Sequence, residues 1–219
     1  MTEDAESVRA AWQRIEAWLR ECAPASAALL RPPASDGQLA ALEYDLGVRL
    51  PSTVRAWYRM RDGALGSHPD DGARPGEVWG VAGWLPGAYT WLRLEEVRRF
   101  YELQVEHWDR EPGLVPVASD PGEGSYGLYV DCREGEPAYG TLGTWAVESE
   151  SEPLPPGSDG WPLGDWLHEL ASALEQHRCL RGPDGREDVH HRPVLHLSGV
   201  TWVDDRDGCK DGMRDLRGL

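Results

Sequence analysis

The side chains in this sequence that could do chemistry are three histidines, a run of aspartates and a glycine-rich loop. His190, His191 and His196, with Asp188 nearby, have the donor types that zinc takes. Zinc sites need spacings that let imidazoles converge, as in HExxH, and HHxxxxH on a glycine-rich segment follows no such template. Solvated histidines fit this pattern better. Asp204, Asp205, Asp207 and Asp211 invite calcium, but no register gives oxygens at positions one, three and five with glycine at six.

Gly122-Glu123-Gly124-Ser125-Tyr126-Gly127 matches GxGxxG letter for letter. A dinucleotide fingerprint needs a helix after the loop, so that its N-terminus meets the pyrophosphate. Here the alternating segment Leu128 to Cys132 follows, and Glu123 would repel phosphate. The loop therefore reads as a hairpin turn. Neither GxSxG nor a cysteine placed beside a histidine occurs, since Cys179 is two residues beyond His177 and such neighbours diverge on a helix. The sequence gives no case for an enzyme and asks for no metal or cofactor.

What remains is surface. Three acidic sets fall in loops beside expected strands: Asp70, Asp71 and Glu77; Asp120 and Glu123; Glu148, Glu150 and Glu152. Trp79 and Trp84 flank the first set, and tryptophan often anchors interfaces. The alternative for each ring is the core. Taken together, the residues read as an acidic rim around an aromatic patch that recognises a basic protein.

The whole-chain charge agrees. With 22 basic and 38 acidic residues the net charge is −16, a field that repels nucleic acid and anionic membranes and steers cationic proteins inward. Plain solubility also accounts for such a charge. The four cysteines form no CxxC, and the acidic start MTEDAESVRAAWQRIEAW is unlike a signal peptide. No stretch reaches the ~20 apolar residues of a membrane span. The expectation is a cytoplasmic protein.

Several elements would position these groups. Val8, Trp12, Ile15, Leu19 and Cys22 recur at helical spacing. A proline and alanine cluster, Ala23 to Ala34, reads as loop. Ser35 and Gln38 form a capping box for a helix striped by Leu39, Leu42 and Leu46 and ended by Gly47. Pro51 opens a third helix carrying Val54, Trp57, Tyr58 and Arg61, which Asp62-Gly63 halts. After the loop Gly66 to Gly76, Glu77 to Leu85 suggests short strands. Leu94, Val97, Tyr101, Val105 and Trp108 stripe a fourth helix. Strands follow at 115–119, 128–132 and 138–145, and the proline-rich connector after Glu152 leads to a last helix over 163–177. Beyond Arg181 composition shifts to Gly, Asp, Arg and His, and only 194–203 has strand character in a tail expected to be loose. Helices bracketing a meander of short strands indicate α+β.

Three of these segments, in order, carry a family likeness. LGVRLPSTVRAWYRMRDG (Leu46 to Gly63) resembles the "LP…Y…(N/D)G" signature of the SUKH superfamily, which holds bacterial immunity proteins and fungal regulators of cell-wall synthesis. LVPVASDPGEGSYGLYVDCREGEPAYG (Leu114 to Gly140) is similar to its strand, acidic-glycine turn and hairpin, and GWPLGDWLHELASALE (Gly160 to Glu175) to its closing helix. With the opening helix the likeness runs from Trp12 to His177. It implies a SUKH-like fold over residues 1–180, with N-terminal helices and a C-terminal helix packed on a mostly antiparallel sheet of short strands, followed by the 181–219 tail. It also implies a non-enzymatic protein-binding function, foremost an immunity protein neutralising a basic toxin domain. A scaffold of cell-wall or stress signalling is the alternative within the family. A metal-dependent hydrolase using His190, His191 and His196 is the alternative outside it.

Overall fold

The computed structural model describes residues 3–66, 83–121, 124–210 and 212–217. The expected loop 66–76 and most of the expected strand 77–85 lie outside that range. The chain begins with α1 (Glu3–Cys22), whose Val8, Trp12, Ile15 and Leu19 are all fully buried. Three- and four-residue spacing puts them on one face, and that face packs on other helices.

A short helix, α2 (Pro24–Ala28), stands where the sequence suggested a loop. Five residues are too few to show a period, but proline in the first turn and the alanines that follow all suit a helix. In α3 (Asp36–Leu46) the Ser35–Gln38 capping box forms, with Gln38 N–H donating to Ser35 Oγ at 3.2 Å and Ser35 N–H to Gln38 Oε1 at 2.9 Å. Gly47, at φ +65°, ends it. In α4 (Ser52–Met60) Pro51 is the N-cap, one residue earlier than the sequence placed it. Its Val54, Trp57 and Tyr58 are buried.

The sheet is antiparallel throughout. In order across it lie β1 (Thr90–Trp91), β2 (Leu114–Ser119), β3 (Tyr126–Asp131), β4 (Thr141–Ala146) and β5 (Ser149–Pro153), and β6 (Trp161–Pro162) also pairs with β4. Pro116 in β2 removes a ladder donor, and the register shift between Pro116 and Ala118 absorbs it as a bulge. The helices α5 (Leu94–His107) and α6 (Leu163–Gln176) sit where their apolar stripes predicted. α1 packs on α4 and α6, and α5 on α3 and β2.

Tryptophan fills the centre. Trp57 stacks on Trp91 with centroids 4.2 Å apart and planes 8° from parallel, and Trp12 meets Trp91 edge-on at 4.8 Å. Trp84 and Trp166 close the cluster at 5.9 Å from Trp12 and 6.5 Å from Trp57. Each such pair adds about 1 kcal/mol beyond simple burial. One phenylalanine against eleven tryptophans is thus a statement about core volume.

The C-terminal segment is built into the same body. β7 (Leu180–Arg181) pairs with β8 (Glu187–Asp188), and β9 (Arg192–His196) lies between β10 (Gly199–Val203) and β11 (Met213–Asp215). The expected single strand 194–203 is therefore a hairpin. Leu197 and Ser198, both at positive φ, form its two-residue turn. The tail expected to be loose docks instead. Ala25 N–H donates to Ser198 O at 2.9 Å, Val200 N–H to Ser26 Oγ at 3.0 Å, and Trp202 Nε1 to Trp84 O at 2.8 Å. β9 is anchored by Arg192, 1% exposed, which holds Asp205 at 2.6 Å and Asp215 at 3.0 Å. A buried arginine carries no apolar signal, so the sequence alone did not show this anchor.

Candidate functional site

The acidic set Glu148, Glu150 and Glu152 lies on the β4–β5 turn and along β5, and all three residues are exposed. β5 is the outermost strand: among the described residues no strand pairs its far side. None of the three carboxylates forms an ion pair with a described residue. A serine–glutamate strand has little β propensity, so its position must come from elsewhere. β4 supplies backbone pairing, with Thr144 opposite Glu152 and Ala146 opposite Ser149 across a register shift.

Arg110 supplies the rest. Asp109, at φ +51°, turns the chain sharply beyond α5. Arg110 Nη2 then donates to Ala146 O at 2.6 Å and also to Ser149 O, the two residues that flank the turn. Beneath it Trp145 packs against Phe100 at 5.8 Å and Trp108 at 6.0 Å, and its Nε1 donates to Leu128 O at 3.2 Å. Arg110 had no motif around it to give it away in the sequence.

Beside the turn lie two exposed apolar residues. Tyr126, 43% exposed, pairs with Ala146 across β3 and β4, and its ring meets Tyr89 edge-on at 5.8 Å. Val147, 41% exposed, donates its N–H to Ser125 O at 2.8 Å. Tyr126 was masked in the sequence by the glycine loop, whose period-two alternation becomes visible only from Leu128 onward.

The other expected rim residues divide in two. Trp84 is fully buried in the tryptophan cluster, so it is core and unavailable to a partner. Asp120, 6% exposed, accepts from the N–H groups of Gly124, Ser125 and Tyr126 at 3.3, 2.6 and 3.2 Å. Its carboxylate holds the loop that leads into β3, as short polar side chains do in turns. Asp70, Asp71, Glu77, Trp79 and Glu123 lie outside the described residues.

The GxGxxG stretch leads into a strand, as the sequence implied. A Cβ on Gly127 would come within 1.9 Å of Ala118 O, so strand contact between β2 and β3 accounts for that glycine. The histidines do not gather. His190 Nδ1 lies 2.8 Å from Asp204 and His191 Nδ1 2.6 Å from Asp188, separate pairs, and His196 joins neither. The His191 hydrogen bond holds the Asp188 carboxyl below its ordinary range, and Arg206 does the same for Asp204. Among the described residues no three His, Cys, Asp or Glu side chains are grouped to share a metal.

Comparison with known proteins places this geometry. The family model described as SMI1 / KNR4 family (SUKH-1) matches residues 33–161, from the residues before α3 to the start of β6. The chain belongs to the SMI1/KNR4 family. A curated relative, KNR4/SMI1 homolog 1 of the yeast Debaryomyces hansenii, is 30% identical over 101 residues, which is 46% of this chain and 19% of the relative. The chain thus matches about a fifth of that protein's length. SMI1/KNR4 domains are generally non-catalytic, and this one is a protein-binding or regulatory module. The matched region contains the whole of the acidic edge. Among the described residues no helix is long and apolar enough to cross a membrane.

Proposed function

We propose that this SMI1/KNR4 domain is an immunity protein that binds a cationic toxin domain stoichiometrically and covers its working surface. The observation that carries the reading is the edge strand β5: three exposed glutamates that pair with no described cation, beside exposed Tyr126 and Val147, on a chain of net charge −16. Negative potential of this kind speeds encounter with a basic partner and resembles the phosphates that a nuclease surface expects. The apolar pair supplies the desolvated contact that charge alone lacks. Co-expression with basic toxin domains tests it. Rescue of growth, together with a complex that survives purification and dissociates at high salt, is the expected result. No rescue by any basic toxin, and no salt-sensitive partner, would remove the reading.

The fungal relative favours a second reading, a regulatory scaffold in cell-wall or stress signalling that binds endogenous proteins. That relative is about five times as long as the matched portion of it, so its wider role need not transfer. A deletion phenotype in cells lacking any toxin would support the scaffold.

A further inference from the structure

Among the described residues, the sheet has one long edge strand that no other strand pairs on its outer side. At its other side β1 is only Thr90–Trp91, and both residues are buried. β5 is five residues long and no described strand pairs its outer flank, which at ~3.4 Å per residue offers about 17 Å of backbone. Arg110 holds the Ser149 carbonyl at its start, which lowers the ordering cost there when a strand docks.

Natural proteins blunt such edges with charge, commonly lysine, to stop strands adding to them. Here the charge is all of one sign, and that choice is selective. A second copy of this chain would bring glutamates against glutamates, and like charges opposed across strands destabilise pairing. Nucleic acid is repelled for the same reason. A strand carrying lysine or arginine meets opposite charge instead, and an apolar side chain at its end can cover Val147, 41% exposed in the β4–β5 turn. We propose that β5 receives an extended, cationic segment of the protein partner as an added strand of the sheet. This rests on the binding reading above and specifies how the partner is held.

The probe is a synthetic peptide of alternating lysine and valine, titrated into 15N-labelled protein. Binding is expected to shift the amides of 149–152 together with that of Val147 in the adjoining turn, and to slow hydrogen exchange along β5. The same peptide N-methylated at alternate amides keeps its charge but cannot pair, and it should lose the effect. The double variant Glu150→Lys/Glu152→Lys, shown folded by its tryptophan circular dichroism, should bind about tenfold more weakly, equivalent to ~1.4 kcal/mol. Equal binding of the methylated peptide would overturn the proposal, leaving charge attraction alone. So would shifts confined to other regions, or none at about 1 mM peptide. Toxin rescue that survives the double variant would sink the added strand while leaving the immunity function standing.

Discussion

The Asp62 carboxylate caps a helix that starts 32 residues further along the chain, its Oδ1 accepting the Leu94 N–H at 2.9 Å. Two further signature residues, Tyr58 and Gly63, reach the same short segment. Tyr58 Oη donates to Leu92 O at 3.0 Å, and Gly63 passes so close to Leu92 that a Cβ there would lie 2.5 Å from its carbonyl oxygen. The "Y…DG" part of the pattern therefore encodes a junction between α4 and the entry to α5. Its chemistry is structural.

Replacing Asp62 tests that account. Asp62→Ala leaves a buried N–H at the first turn of α5 without its acceptor and removes the partner of Arg31, 3.6 Å away. The expected loss is about 1–2 kcal/mol in urea unfolding. Asp62→Asn keeps an acceptor oxygen and should recover more than half of it. Equal losses for the two would mean that charge, rather than the cap, is what matters at this position.

Gly63 and Gly47 form a matched pair, at φ +68° and +65°. Alanine at either position pays for the left-handed backbone, about 1 kcal/mol. At Gly47 nothing lies within 4 Å of the new Cβ, so Gly47→Ala should stop near that figure. At Gly63 the Cβ collides with backbone atoms of Leu92 and Arg93, which cannot rotate away. Gly63→Ala should cost ~3 kcal/mol or more. Similar midpoints for the two variants in thermal unfolding would refute the close approach.

The long elements were legible in the sequence because their apolar residues repeat at helical spacing and their ends carry chemical stops, as at Ser35 and Gly47. Hidden elements lacked one or the other. β1 and β6 are two residues long, and β5 is serine and glutamate, held by β4 and Arg110 rather than by its own composition. Trp84 could be read as interface anchor because an indole after a glycine-rich loop fits that role as well as the more common core, and the packing of Trp12 beside it decides for the core. Arg192 was illegible for the opposite reason: its burial is made possible by Asp205 and Asp215, 13 and 23 residues away.

Glu16 gives the stability of the core a pH dependence. Burial raises its pKa, but hydrogen bonds from Arg61 and from Trp12 Nε1, the latter at 2.9 Å, outweigh this and leave it below the ordinary glutamate value of 4.5. A carboxyl depressed on folding stabilises the protein above its unfolded pKa, and that stabilisation fades as pH falls through the folded value. Glu16→Gln should therefore be less stable than the parent at pH 7, with the gap narrowing as the pH drops below 4.5. Chemical unfolding at several pH values reads this directly. A gap that widens toward acid would contradict the pairing.

The docking of the C-terminal sheet is testable at one atom. Trp202 Nε1 donates to the Trp84 carbonyl at 2.8 Å, joining β10 to the loop that carries one member of the central tryptophan cluster. Both residues are buried, so water cannot replace the bond if it is removed. Trp202→Phe retains most of the ring but leaves that carbonyl unpaired, and should cost about 1–3 kcal/mol. Trp202→Ala adds a cavity and should cost ~3–5 kcal/mol. If the segment were an independent appendage, either change would melt β9–β11 alone and leave the main transition where it was. Because Ala25 and Ser26 of α2 bond to the same hairpin, a single transition moved to lower temperature is expected instead, by differential scanning calorimetry. Two separate transitions would show that the last strands are not part of the core.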